Sequence, residues 1–214
     1  MPQLAGTSLR MQAAPNVQRV PSPSLELFIV PRFFSAAQCA PLIALINANR
    51  RPSTIADDIG EAAFRTSETC EFPVGHPDVT PVDEAICQLL GLPQEFGEPI
   101  QGQRYAPGQE FKPHTDTFEP MGPDYYEHCA ERGNRSWTAM CYLNEPEDGG
   151  ATRFKTINKI IRPETGKLLA WNNLLPDGRP NPATLHQGMK VRKGTKYIVT
   201  KWFRERPAEP LASD

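Results

Sequence analysis

The segment RYAPGQEFKPHTDTF, residues 104–118, holds His114 and Asp116 with one residue between them. On an extended backbone the two share a parity, so both side chains project from one face, about 6.5–7 Å apart at Cα. A divalent ion about 2.1 Å from each could sit between them. Taken alone, the pair could equally be two polar side chains in an exposed turn, so a metal reading needs a third ligand. The chain has 4 histidines, His76, His114, His128 and His186, and His186 stands just ahead of the last strand-like run. Two imidazoles and a carboxylate on a rigid β scaffold form the ligand set of non-haem iron(II) sites, which leaves three positions open. Lys196 follows 10 residues after His186. An ammonium there could bind the far carboxylate of a dicarboxylic ligand as a point charge.

Those side chains must be held by strands. In TKYIVTKWF, Lys196, Ile198, Thr200 and Trp202 share one parity, while Tyr197, Val199, Lys201 and Phe203 share the other. The lysine, the threonine and the indole therefore face one side, into a barrel if Lys196 does. The alternative is an ordinary strand with a solvent-facing lysine. Other β-rich runs after Gly91 are PIQGQRY, SWTAMCYL, ATRFK and KLLAWNN, separated by turn clusters such as EPEDGG and LPDGRPNP.

Helical signals come earlier. LELFIVPRFF reads as a strand running into a loop. SAAQCAPLIALINAN then opens on Ser35 with Gln38 three residues on, a capping box, and carries Leu42, Ile43, Leu45 and Ile46 as an apolar stripe. A second helix is expected over TPVDEAICQLLG, Thr80 to Gly91, with a proline in its first turn and a glycine at its stop. Residues 1–24 are polar and proline-punctuated, which predicts a loosely held arm ahead of a single domain over 25–214. Helices first and short strands afterwards predict an α+β fold, an antiparallel jelly-roll core over about 100–206 with N-terminal helices packed on one side.

Composition narrows the classes. A chain of 214 residues, 39% apolar, can bury a real core as one domain, and no apolar run reaches membrane-spanning length. A net charge of −2 offers no basic field for nucleic acid, so neither a nucleic-acid nor a membrane partner is expected. The 23 prolines and 15 glycines suit many short strands and turns. The five cysteines, Cys39, Cys70, Cys87, Cys129 and Cys141, are odd in number and never spaced C-x-x-C. Reduced, mostly buried thiols in a cytoplasmic protein are the expectation.

Three segments together, RYAPGQEFKPHTD, RSWTAMCYLNEPEDGGATRF and HQGMKVRKGTKYIVTKWFRE, resemble the catalytic domain of the prolyl 4-hydroxylase branch of the 2-oxoglutarate/iron(II)-dependent dioxygenases. The likeness is close over residues 100–206 and looser back to about residue 25. It implies a double-stranded β-helix fold. It also implies Fe(II) on His114, Asp116 and His186, and 2-oxoglutarate as cosubstrate with its C5 carboxylate on Lys196. Tyr105 matches a tyrosine that helps hold that carboxylate, and Tyr142 a second cosubstrate-side position. Arg65-Thr66-Ser67 resembles the R-x-S segment that closes over peptide, and Trp202 an aromatic near the substrate pocket. The resemblance further implies use of O2, release of succinate and CO2, hydroxylation of a prolyl residue in a peptide or protein, and ascorbate as reductant. Loops at 65–75 and 118–134 would form the lid.

The chain departs from the family at Phe111, where many members have a tyrosine, and at Gln187, where alanine is commoner. Both bear on the substrate more than on the reaction. Two alternatives stay open: the same chemistry on a free amino acid or small metabolite, and a cupin-like metal-binding jelly roll that performs no oxygenation.

Overall fold

The computed structural model describes residues 2–53, 64–120 and 122–208. Parts of the expected domain, residues 54–63 and 209–214, and residue 121 of the expected lid, lie outside them. The strands, in chain order, are β1 (Gln18–Arg19), β2 (Leu27–Val30), β3 (Arg51–Pro52), β4 (Glu68–Glu71), β5 (Gln101–Tyr105), β6 (Phe111–His114), β7 (Arg135–Tyr142), β8 (Asp148–Gly149), β9 (Thr152–Phe154), β10 (Lys159–Ile161), β11 (Leu168–Asn172), β12 (His186–Gly188), β13 (Val191–Lys193) and β14 (Lys196–Arg204). The helices are α1 (Pro2–Ala13), α2 (Ala36–Asn49), α3 (Thr80–Leu90) and α4 (Pro123–Cys129).

Among the described residues an 8-stranded sheet, ordered β1-β2-β11-β7-β14-β5-β4-β3, packs against a 4-stranded sheet ordered β10-β9-β12-β6; β13 and β8 form a short extra pair. The ladders are antiparallel. This is the jelly roll of the expected α+β class.

Period-2 alternation divides the core in two. On β7, Trp137, Ala139 and Cys141 face the helices, while Met140 and Tyr142 face the barrel. Each large side chain so withdrawn from water contributes about 1.5–3 kcal/mol. The capping box of α2 forms as read: Ser35 Oγ accepts from Gln38 N, and Gln38 Oε1 accepts from Ser35 N at 3.0 Å. α3 ends at Gly91, whose φ of 66° is the left-handed stop that glycine adopts without strain.

Two expectations need correction. Instead of a loose arm, residues 2–19 hold α1 and β1. Thr7 and Met11, one turn apart, are buried, and Arg10 Nε donates to the Gln88 carbonyl at 3.0 Å, a second donor to a carbonyl that also accepts from Gly91 N at 3.3 Å. The stretch after Asp116 is likewise no open loop. α4 forms within it, with Pro123 in its first turn, and Asn134 clamps Phe118 by accepting from its N at 3.0 Å and donating to its carbonyl at 2.8 Å. No described helix is long and apolar enough to cross a membrane.

Helix and sheet are also joined by a buried ion pair. Lys201, on the helix-facing side of β14, lies 2.6 Å from Asp83 Oδ1 of α3 and donates to the Glu98 carbonyl at 3.1 Å. Asp83 Oδ2 also accepts from Gln94 at 2.7 Å. Lys201→Met strands that carboxylate and should lower stability in urea unfolding by about 3–5 kcal/mol. Adding Asp83→Leu should recover most of the loss. Equal stability of Lys201→Met and wild type would remove the pair from the energetics of the fold.

Candidate metal centre

β6 ends on His114 and β12 begins on His186. The two are direct Cα partners across the ladder, with ring centroids 4.3 Å apart. Asp116 lies two residues past the end of β6 and turns back, so that its Oδ1 is 3.9 Å from His114 Nε2. One ligand atom from each of the three residues lies within 4.8 Å of the others, and this is the only such group among the described residues.

Backbone carbonyls set both imidazole tautomers. His114 Nδ1 is 2.8 Å from the Lys112 carbonyl, and His186 Nδ1 is 2.9 Å from the Thr184 carbonyl. A carbonyl only accepts, so each Nδ1 carries a proton, and it is Nε2 that holds the lone pair whenever the ring is neutral. Burial, reinforced by the neighbouring His186, pushes the His114 pKa down to about 3, so that ring is neutral near pH 7. Burial alone would raise the Asp116 pKa, but the two imidazoles and the Thr138 hydroxyl outweigh it and hold the carboxyl below its ordinary value. Neutral imidazole and ionised carboxylate are the forms a metal requires. The donor set therefore fits Fe(II).

Aromatic rings wall the centre. Phe111 stacks on His114 at 3.5 Å between centroids and 16° between planes, while Phe154 and Trp171 flank His186. Phe111 is thus in direct contact with the His114 ring, a contact that the sequence did not announce.

Lys196 opens β14 and is 1% exposed, its Nζ 5.0 Å from the Tyr105 ring centroid and 5.3 Å from that of Tyr142. Burial lowers its pKa from 10.5 to about 7, and among the described residues no charge offsets that shift. A buried ammonium without a counter-charge fits a ligand carboxylate. Lys196, Tyr105, Gln103, Met140, Thr152 and Thr200 line one small cavity beside the histidines. The Tyr142 hydroxyl is engaged locally, 2.6 Å from Thr152 Oγ1 and 3.2 Å from the Ile161 carbonyl, so it presents mainly its ring to Lys196. The Tyr105 hydroxyl is hydrogen-bonded by Ser67 and Arg65.

A cleft of about 500 Å³ opens from the centre between Arg65, Phe111, Phe118, Arg135 and Trp202. Arg65 Nε donates to Ser67 Oγ at 3.1 Å, and the guanidinium lies 4.9 Å over the Phe111 ring. The structure thus brings His114, Asp116, His186, Lys196, Tyr105, Arg65 and Trp202 to this centre or its cleft, whereas Tyr142 lines neither and Gln187 lies at a separate surface cavity. It adds three that were missed, Glu98, Arg135 and Thr138: Arg135 donates to both carboxylate oxygens of Glu98 at 2.8 Å and lies 4.1 Å over Trp202, while Thr138 donates to Asp116. The parity that links Thr138 to Tyr142 was a usable signal; nothing local ties Glu98 to Arg135.

Comparison with known proteins agrees with this geometry. Residues 100–204 match the family model of the 2OG-Fe(II) oxygenase superfamily. A putative prolyl 4-hydroxylase of Acanthamoeba polyphaga mimivirus is 28% identical over 84% of this chain and 74% of its own length. Probable prolyl 4-hydroxylase 4 of Arabidopsis thaliana is 31% identical over 82% of this chain and 66% of its own. The chain thus spans two thirds to three quarters of these relatives. Among solved structures, the viral collagen prolyl hydroxylase of Paramecium bursaria Chlorella virus-1 in its 2OG complex superposes with a TM-score of 0.64 at 27% identity, covering 83% of this chain and 95% of that one.

The buried lysine has a measurable cost. Its folded pKa of about 7 lies below the ordinary 10.5, so apo stability should rise as pH goes from 7 toward 10.5. Lys196→Met removes the cost. In urea unfolding of the apo protein the variant should gain on the order of 4–5 kcal/mol below pH 7. The gain should shrink steadily toward pH 10. A gain independent of pH would show that Lys196 is not desolvated.

Proposed function

Because the chain belongs to the 2OG-Fe(II) oxygenase superfamily, we propose that it hydroxylates a prolyl residue in a peptide or protein, consuming O2 and 2-oxoglutarate and releasing succinate and CO2. The observation that carries this reading is the pairing of a His-Asp-His group with an uncompensated ammonium in one barrel.

His114, Asp116 and His186 would hold the iron. Bound Fe(II) with 2-oxoglutarate supplies the oxidising chemistry toward O2. Lys196 receives the far carboxylate of the cosubstrate, and the Tyr105 hydroxyl, aligned by Ser67 and Arg65, lines the same cavity. Phe111, Phe154 and Trp171 keep water away from the imidazoles and hold their planes. Arg65 and Trp202 form opposing parts of the open cleft, where a guanidinium can meet a peptide carbonyl and an indole can pack on a proline ring. Ascorbate serves as reductant for the iron. Five buried free thiols support a reducing, cytosolic setting.

A peptide panel incubated with Fe(II), 2-oxoglutarate, O2 and ascorbate should show a gain of one oxygen on proline by mass spectrometry, matched by CO2 release. Oxygen found only on another residue or on a free metabolite would overturn the prolyl assignment. In the same assay His114→Ala or Asp116→Ala should abolish turnover through loss of metal. Lys196→Met should instead keep metal affinity and raise the 2-oxoglutarate requirement by about tenfold or more. Equal metal loss in all three would refute the division of roles.

Binding should also move a proton. At pH 8 the ammonium of the apo protein has largely lost its proton, and a carboxylate arriving beside it restores the charged form. Calorimetry of 2-oxoglutarate binding to the Mn(II)-loaded protein, in buffers of different ionisation enthalpy, should therefore report uptake of close to one proton at pH 8 and far less at pH 6. Absence of uptake at pH 8 would separate Lys196 from the cosubstrate.

A further inference from the structure

We propose that Thr138 and Asn173 are positioning residues for metal binding, forming a hydrogen-bond relay that commits one oxygen of Asp116 to the protein and leaves the other for the ion. The inference rests on the reading of His114, Asp116 and His186 as ligands.

Asn173 Nδ2 donates to Thr138 Oγ1 at 2.8 Å, and Thr138 Oγ1 donates to Asp116 Oδ2 at 2.7 Å. The direction is fixed by chemistry. An ionised carboxylate only accepts and an amide nitrogen only donates, so the single hydroxyl proton of Thr138 must point at Asp116. Thr138 and Asn173 are both 0% exposed, so bulk water does not compete for either bond. Asn173 Oδ1 has no partner among the described residues, which leaves the contact to Thr138 as the amide's stabilising one.

The other oxygen, Oδ1, faces His114 Nε2. With Oδ2 held, Asp116 offers the ion a single atom. With three protein atoms the ion would keep open positions for further ligands, one of which a carboxylate binding through both oxygens would fill.

The relay is anchored on both sides. Asn173 N donates to the Ser136 carbonyl of β7, and the Asn173 carbonyl accepts from Asn181 N, both at 2.8 Å. Asn181 in turn caps the turn over Pro182–Thr184, accepting from Ala183 N at 2.9 Å, and the Thr184 carbonyl at the end of that turn fixes His186. One continuous set of hydrogen bonds therefore positions two of the three ligands.

Mn(II) titration of the full chain, without 2-oxoglutarate, tests the relay apart from turnover. Thr138→Val should weaken Mn(II) affinity about 10–100-fold, while Thr138→Ser, which keeps the hydroxyl, should stay within about threefold of wild type. Asn173→Leu should weaken it a few-fold, and the double variant Thr138→Val/Asn173→Leu should bind no worse than Thr138→Val alone, because the two act as one unit. Ligand-field bands of the Co(II)-loaded protein should shift in Thr138→Val and not in Thr138→Ser. Wild-type affinity in Thr138→Val, equal damage in Thr138→Ser, or additive losses in the double variant would each overturn the relay. If Thr138→Val does not fold, Asn173→Leu decides: wild-type affinity and an unshifted Co(II) spectrum there overturn it as well. Failure of the wild type itself to bind Mn(II) would instead remove the metal centre on which the inference rests.

Discussion

The antiparallel register between β6 and β12 is the constraint on which the centre depends. His114 and His186 are direct Cα partners, so their side chains leave the sheet on the same face and close together. A slip of one residue would send one imidazole to the opposite face and dissolve the ligand set. The ladder is short, and it is irregular between His186 and Gly188. Register is therefore held from outside the pair as well, by β9 on the other edge of β12, where Phe154 lies opposite His186. The carbonyls of Lys112 and Thr184 then hold the ring planes that the register has brought together.

Lys196 shows the complementary constraint, a charge placed where folding disfavours it. Lys201, equally buried, has Asp83 as its counter-charge within the fold, whereas Lys196 at 1% exposure has none among the described residues. The two tyrosine rings soften the desolvation with their negative faces and do not cancel it. Burial of Lys196 thus costs the fold stability wherever the ammonium is charged, a cost that a carboxylate arriving beside it would offset. Asp116 is the opposite case, since neighbours within the fold already favour its charged form.

What could be read from the sequence followed from local periodicity. Alternation along TKYIVTKWF placed Lys196, Thr200 and Trp202 on the cavity side, and the Ser35–Gln38 spacing located the start of α2. What escaped depended on contacts between distant segments. Among the residues of α1 whose burial is described, Met11 is the one buried large apolar side chain, beside the polar Thr7 and Ser8, too sparse a stripe to announce a helix, and Arg10 reaches a carbonyl 78 residues away. Glu98 and Arg135 are 37 residues apart and share no pattern. Phe111 was legible as an aromatic and as a departure from the family, but its stacking on His114, three residues along the same strand, goes with the register shift of β6 against β12, which spacing alone does not specify.

The two layers of the molecule meet at Glu98. Its backbone carbonyl accepts from Lys201, whose partner Asp83 belongs to α3, while its carboxylate takes both donors of Arg135 and a third from Arg204 at 3.3 Å. Arg135 then lies against Trp202 and Phe118 and donates to the Asp116 carbonyl at 3.4 Å. Lys201 and Trp202 are sequence neighbours on opposite faces of β14, so the strand carries the packing of the helices on one side and the wall of the cleft on the other. A shift of α3 would move the Lys201 ammonium, the Glu98 backbone and the Arg135 guanidinium together, and with them the loop that carries Asp116. The helical layer, remote from the centre in sequence, is in this way part of what holds the cleft open at a fixed width.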